Sequence, residues 1–410
     1  MNVPKLRFKE FDGEFNKYNI ERLVTVTDCK HDTAPIETKK TIYKMIRTGN
    51  VRNGNLLVKT MDSVSEDTFH KWSLRGYLEP NDIILTREAP MGEVAIIPKN
   101  SRYKFFLGQR CLQLKANAEL SDSVYIYFLL QGERFQKYIR PLKFSGSTVS
   151  NIRIPELKSF EFEIPSIKEQ IKIGDFLSKI NKKIQLQQQK IDLLQEQKKG
   201  FLQKMFPKAG ETQPEMRFEG FTGDWEERKL KDIVKWSKGS NLPKSVLNES
   251  KEGDEVIHYA DLYKFSPVVS YVIHWSDSGQ GTVIPDNSLL FPMSDVTPVG
   301  LARTSTITKS GVKAGSDTLI GMIDEKNNSQ FISYQINANS QKIIPLVTGT
   351  TVRHISAKAL DTLDIMVTSQ EEQVKISTFF KQLDDTIALH QQKLDLYKEQ
   401  KKGFMQQLFI

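Results

Sequence analysis

The chain repeats itself. Residues 164–206 align with residues 367–409 at a constant offset of 203, and 21 of the 43 aligned positions are identical. A shorter match pairs Pro4-Lys-Leu-Arg-Phe-Lys-Glu-Phe-Asp-Gly13 with Pro214-Glu-Met-Arg-Phe-Glu-Gly-Phe-Thr-Gly223. Self-similarity at a fixed period means that one structural unit occurs twice. The repeat therefore divides 410 residues into a first globular segment with its N-terminal lead (1–163), a first repeated element (164–206), a spacer with the second Pro-x-x-Arg-Phe motif (207–223), a second globular segment (224–366) and a second repeated element (367–410). The motif that follows the first element also opens the chain, so the two chain ends are expected to meet in space.

Within the repeated element the apolar residues keep a 4-3 spacing: Ile173, Leu177, Ile180, Ile184, Ile191, Leu194 and Phe201 in the first copy, and Ile376, Phe380, Leu383, Ile387, Leu394, Tyr397 and Phe404 in the second. A narrow seam of this kind, with Gln- and Lys-rich flanks, is the pattern of coiled-coil pairing, and the natural partner of each helix is the other copy. Polar residues interrupt it at Gln187, His390, Lys198 and Lys401. Such residues fix register at a cost in stability, although long lysine side chains also snorkel out of a seam. Gly200 and Gly403, each in Lys-Lys-Gly-Phe, cost about 1 kcal/mol relative to Ala inside a helix, which points to a kink, a helix end or a close approach. A continuous helix over 166–206 would be about 60 Å long. The expected fold class is α+β: two mixed α/β globular domains, two long helices forming a coiled coil with each other, and an internal pseudo-two-fold.

The globular segments are unlike each other. Asp82–Thr86, Val94–Ile97 and Ser288–Phe291 read as short strands bounded by turn residues, and Ser123–Ile139 reads as helix. Basic and aromatic side chains interleave in the first segment, a mixture suited to phosphate and base contacts. Candidate DNA-contacting residues there are Arg75, Arg87, Arg102, Lys104, Arg110, Lys143 and Arg153, with the Gly-hydroxyl loop residues Ser145, Ser147 and Thr148. In the second segment they are Arg303, Lys309, Thr348, Thr350, Thr351 and Arg353. A solvated surface accounts for many such charges equally well. The stretch from Thr86 to Gly92 loosely parallels Ser294 to Gly300.

The net charge of +8 is unevenly placed. Residues 1–206 carry 35 basic and 24 acidic side chains, whereas 207–410 carry 23 and 26. An attraction to polyanions therefore belongs mainly to the first half. Only two cysteines argue against a disulfide framework and for a reducing compartment. No run approaches the ~18 apolar residues of a membrane helix, so a cytoplasmic protein without a membrane partner is expected. There is no GxxxxGK[ST] loop, no Rossmann fingerprint and no Asn/Asp-Pro-Pro-aromatic motif. Glu196-Gln-Lys198 and Glu399-Gln-Lys401 resemble nuclease Glu-x-Lys pairs but lie within the heptads, and the six histidines are scattered. No catalytic or metal-ligating residue is assigned. The chain is expected to bind and position.

Two unlike segments, each followed by a near-identical helix ending Gln-Lys-Lys-Gly-Phe-(Leu/Met)-Gln-x-(Met/Leu)-Phe, with Pro-x-x-Arg-Phe-x-x-Phe-x-Gly at Pro4 and Pro214 and Glu-Gln pairs at Glu169-Gln170 and Glu372-Gln373, resemble the specificity subunits of type I restriction-modification enzymes. The resemblance covers nearly the whole chain and is specific in the helices. It implies that each variable segment is a target recognition domain reading one half of a split double-stranded DNA target. It also implies that the helices form an antiparallel coiled coil, which sets the gap and docks two methyltransferase (M) subunits, with restriction/translocase (R) subunits joining. No cofactor would be bound by this chain: S-adenosylmethionine would belong to the methyltransferase, and ATP and Mg²⁺ to the restriction subunit. On the residues alone, a freestanding bipartite DNA-binding regulator and a coiled-coil adaptor without DNA contact stay open.

Overall fold

The computed structural model describes residues 3–143 and 151–410, with Lys143 described in its backbone only. Ser145, Ser147 and Thr148 lie outside the described residues. Two compact units are present: 3–187 with 393–410 (less 144–150), and 188–392. Each contains one globular domain and one part of each long helix.

In the first unit, Asn16–Asn19 pairs antiparallel with Glu161–Ile164, joining the entry and exit of the domain. Between them lies a four-stranded sheet ordered Val24–Asp28, Cys111–Ala116, Ile83–Thr86, Val94–Ile96. A second sheet has Tyr43–Ile46 at its centre, antiparallel to Asp62–Ser63 and parallel to Lys104–Leu107. Ile83–Thr86 is buried at every position, as its unbroken apolar run requires of a strand covered on both faces. The expected helix after Ser123 forms in two pieces, Ser123–Gln131 and Glu133–Lys143. Gly132 separates them in extended backbone at ψ 157°.

The second unit repeats this plan with other residues. Glu226–Lys229 pairs with Asp364–Val367. Thr318–Ile323 lies between Val234–Lys238 and Ser288–Pro292, and Asp254–Ile257 pairs parallel with Lys313–Ala314. The helix Ser329–Ala338 takes the place of Ser123–Gln131. Both helices begin on a side-chain cap: Asp122 accepts from Tyr125 N, and Asn328 accepts from Phe331 N. Each cap satisfies one of the orphan amides of a first turn.

The repeated elements are helices over Ile167–Lys204 and Gln370–Leu408. Ile173, Leu177, Ile191, Leu194, Ile376, Phe380 and Leu394 are buried, and Ile180, Ile184, Phe201, Leu383, Ile387, Tyr397 and Phe404 are half-buried. Leucines off the seam, such as Leu186, Leu193, Leu389 and Leu396, are exposed. Within the second unit the helices run antiparallel, since Phe201 meets Phe379 edge-on at 5.2 Å while Lys198 meets Asp384. In the first unit Phe176 meets Phe404 edge-on at 4.9 Å. Gly200 and Gly403 end neither helix. A Cβ at either would meet nothing within 4 Å, so no close approach among the described residues explains them.

Candidate nucleic-acid interface

The Glu-Gln pairs have a definite task. Arg7 grips Glu169 with Nε and Nη2, both at 2.8 Å, and Arg217 grips Glu372 at 2.7 and 2.8 Å. Both carboxylates are essentially inaccessible, at 1% and 0% exposure. The same guanidinium groups donate to the carbonyls of Asp12 and Gly13, or of Thr222 and Gly223. A fork-to-fork pair of this kind fixes direction as well as distance. The glutamine beside each glutamate holds the globular domain. Gln170 accepts from Asp122 N and donates to Leu120 O; Gln373 accepts from Asn328 N and donates to Asn327 Oδ1. Leu6 N donates to Gln407 O at 3.0 Å, and Met216 N to Lys204 O at 2.8 Å, so each Arg-Phe motif rests on the end of a long helix. In the first unit this brings the two chain termini together. The paired contacts present two unlike domains to the helices in the same way.

Each domain has an edge where three segments are joined laterally by backbone hydrogen bonds. In the first unit Arg87 N donates to Arg110 O and Ile152 N to Arg87 O; in the second Met293 N donates to Asp317 O and Ile355 N to Met293 O. This edge gathers Arg87, Arg110 and Arg153 in one domain. In the other it gathers Arg353 with the exposed Thr348, Thr350 and Thr351, because Ser294–Asp295 pairs with Arg353–His354. Segments 294–300 and 347–351 are thus neighbours. Val296 and Val299 stand exposed beside them.

Not every candidate faces outward. Arg87 donates to Asp28 and to the carbonyl of Ile152, and Arg303 to the carbonyls of Leu262 and Tyr263. Each of these guanidinium groups ties segments of its own domain to one another. Arg75 donates to Cys29 O. Arg102 and Lys104 lie over the rings of Tyr103 and Tyr43, at the opposite end of the Lys104–Leu107 strand from Arg110. Lys309 pairs with Glu255, Arg153 with Glu156, and Arg110 with Glu88 at 2.8 Å. Among the described residues one group offers metal-type donors, Asp28, Cys29 and His31, within 4.8 Å of one another. Asp28 there already accepts from Arg87 and faces His31, each at 3.1 Å.

Residue type alone did not reveal Arg47 and Gln109. With Arg110 and Thr48 they rim a cleft of about 290 Å³ floored by Met45 and Ala34. It forms where two parallel strands end side by side, and the only advance signal was the pair of apolar runs preceding Arg47 and Gln109.

The repeated lysines differ in their surroundings. Lys198 pairs with Asp384, which also accepts from the Tyr334 hydroxyl at 2.9 Å. Burial, and then the Asp384 charge, push the Tyr334 phenol well above its ordinary range. Lys401 lies 5.5 Å from the centre of the Phe128 ring, as Lys198 lies 5.5 Å from that of Tyr334. The repeat, however, puts Asn181 where the other copy has Asp384. Burial holds the Lys401 ammonium below the usual lysine value.

By architecture this is a two-domain specificity protein, with unlike recognition domains carried on a duplicated helical frame. Residues 13–196 and 222–397 match the family model for the type I restriction modification DNA specificity domain, and the chain belongs to that family. Its function is DNA sequence recognition within a type I restriction-modification complex. A Methanocaldococcus jannaschii protein that carries the name MjaX specificity subunit of a type I restriction enzyme is 24% identical over 327 residues, covering 78% of this chain and 75% of that protein. The fold is shared with a type I restriction-modification S subunit from M. genitalium (TM-score 0.66, 17% identity, 100% of this chain and 99% of that one). It is also shared with a chain from a type I R-M structure (TM-score 0.51, 13% identity, 95% and 96%). Among the described residues no helix is long and apolar enough to cross a membrane.

Proposed function

We propose that each globular domain reads one half of a bipartite double-stranded DNA target, while the long helices set the gap and dock two methyltransferase subunits. The assembly directs adenine methylation or, with restriction subunits added, cleavage. Chemistry stays with the partners: S-adenosylmethionine with the methyltransferase, ATP and Mg²⁺ with the restriction subunit. The cytoplasm, where DNA and partners meet, is the working compartment. The observation that carries this reading is the duplicated Arg-Glu and Gln-cap clamp, which holds two unlike domains in equivalent settings. Bases between two such readers go unread, as in other paired half-site binders.

The test is modified-base sequencing of a host expressing the chain with its methyltransferase. Exchanging residues 14–163 for another recognition segment should change one half-site and leave the other intact; loss of both would overturn modular reading. An adaptor without DNA contact would leave the complex's DNA affinity indifferent to salt, whereas phosphate contacts make it fall steeply. A freestanding regulator would bind its target fully without a methyltransferase.

A further inference from the structure

The two recognition domains share little sequence, but their strand registers superimpose them residue by residue at one place. Ile46 pairs with Leu107 in the first domain and Ile257 with Ala314 in the second, both in parallel. The next residue is glycine in each: Gly108 N donates to Ile46 O at 2.8 Å, and Gly315 N to Ile257 O at 2.9 Å. Three residues on, the central strand begins, with Leu112 opposite Asp28 and Leu319 opposite Lys238. Arg110 and Asp317 therefore occupy the same position, immediately before that strand.

Both have a left-handed backbone, Arg110 at φ +70° and Asp317 at φ +61°. A left-handed non-glycine residue costs free energy, and such residues concentrate at functional sites. Arginine has no special tolerance for this region, unlike Asn or Asp. Both side chains are exposed, and both backbones carry the lateral bond to the loop at Arg87 or Met293. The frame is constant and the side chain is not: a five-donor guanidinium in one domain, an acceptor-only carboxylate in the other.

We infer that this position is a base-reading position in each domain, with Arg110 taking the acceptor edge of a guanine in the first half-site and Asp317 accepting from an exocyclic amino group, of cytosine or adenine, in the second. The inference rests on the two-reader function proposed above. Guanine presents O6 and N7 in the major groove, which the arginine fork matches; cytosine N4 and adenine N6 present donors, which a carboxylate matches. Glu88 holds Arg110 through Nε at 2.8 Å, so the two Nη groups keep their direction for a base edge. Gln109 and Arg47 stand beside Arg110 at the rim of the same cleft. The assignment also fits the charge difference between the halves.

The experiment uses the whole complex with its methyltransferase. Modified-base sequencing first gives the wild-type target, and exchange of residues 14–163 assigns its halves. Arg110→Lys, which keeps the charge but loses the fork, and Arg110→Ala should each relax one guanine in the first half-site only. Asp317→Asn, which suits the same backbone, should relax or change one position in the second half-site only. Competition binding on oligonucleotides should show discrimination at that position reduced roughly 5- to 150-fold. Uniform weakening with the same consensus would make these residues phosphate neighbours and overturn the inference, as would an unchanged target. If instead the segment exchange fails to alter one half alone, it is the two-reader function that fails. Circular dichroism of each variant, with Glu88→Gln as a milder perturbation of the same guanidinium, separates misfolding from lost reading.

Discussion

Replacing the two repeated seam lysines by methionine should have opposite consequences. Lys198 and Asp384 are 16% and 14% exposed, which places their pair close to the buried regime rather than among surface pairs worth about 0–1 kcal/mol. Lys198→Met strands the Asp384 carboxylate with the Tyr334 hydroxyl as its remaining donor. Breaking a fully buried pair costs about 3–5 kcal/mol, and the surviving phenol bond returns about 1 kcal/mol. A net loss of roughly 2–4 kcal/mol follows, equivalent to roughly 4–16 °C for a unit of this size. Lys401→Met removes an ammonium that burial already disfavours and leaves no carboxylate behind, so it should be neutral or stabilising by up to about 1 kcal/mol. The sign of the pH effect agrees. Because the folded-state pKa of Lys401 lies below the lysine value of 10.5, the unfolded chain binds more protons in the window between the two, and stability attributable to this residue rises with pH there. Lys401→Met should abolish that rise. Hydrogen exchange followed by mass spectrometry on the full chain resolves the units, read at Ser329–Ala338 for Lys198 and Ser123–Gln131 for Lys401. Equal losses at both sites would refute the reasoning.

Other consequences are as direct. Arg7→Ala or Arg217→Ala leaves an inaccessible glutamate without its cation and should cost about 3–5 kcal/mol, read as faster limited proteolysis of that unit; Arg→Lys should rescue only partly, since the fork is lost. Inserting four residues before Gly200 lengthens the helix by about 6 Å and should lengthen the unread gap with both half-sequences kept. An unchanged gap in the methylome would overturn the reading that the helices set it. Gly200→Ala should raise the stability of the isolated chain by up to about 1 kcal/mol, since open space surrounds the position; a loss measured by urea titration would contradict this.

The duplication, the long helices and several strands could be read from local pattern because each depends on residues a few positions apart. The Glu-Gln pairs were visible as repeated letters, but their meaning was not: Arg7 and Glu169 are 162 residues apart, and only folding brings the fork to the carboxylate. Arginine counting was a poorer guide. Arg87 and Arg303 bind backbone carbonyls, a use that residue type does not distinguish from phosphate binding. Arg47 and Gln109 escaped notice because their cleft arises from parallel pairing of distant strands. Asp317 is an acceptor, and its importance lies in a backbone position shared with Arg110 through distant strand pairing, not in residue type. The helix expected over 123–139 was correct in kind but is interrupted at Gly132, where one extended residue interrupts a sequence otherwise suited to continue.

The closure of each domain at its own doorway has a consequence for heredity. The strand that enters the first domain, Asn16–Asn19, pairs with the strand that leaves it, Glu161–Ile164, as Glu226–Lys229 pairs with Asp364–Val367. Everything between is a closed excursion whose ends stay side by side whatever it contains. The flanking helices are alike at 21 of 43 positions. Exchange of the segment between those paired strands replaces a whole reader while the helix residues that complete its core, such as Ile173 and Leu177, stay in place, so a gene of this design can change what it recognises in one event with the helical frame left intact.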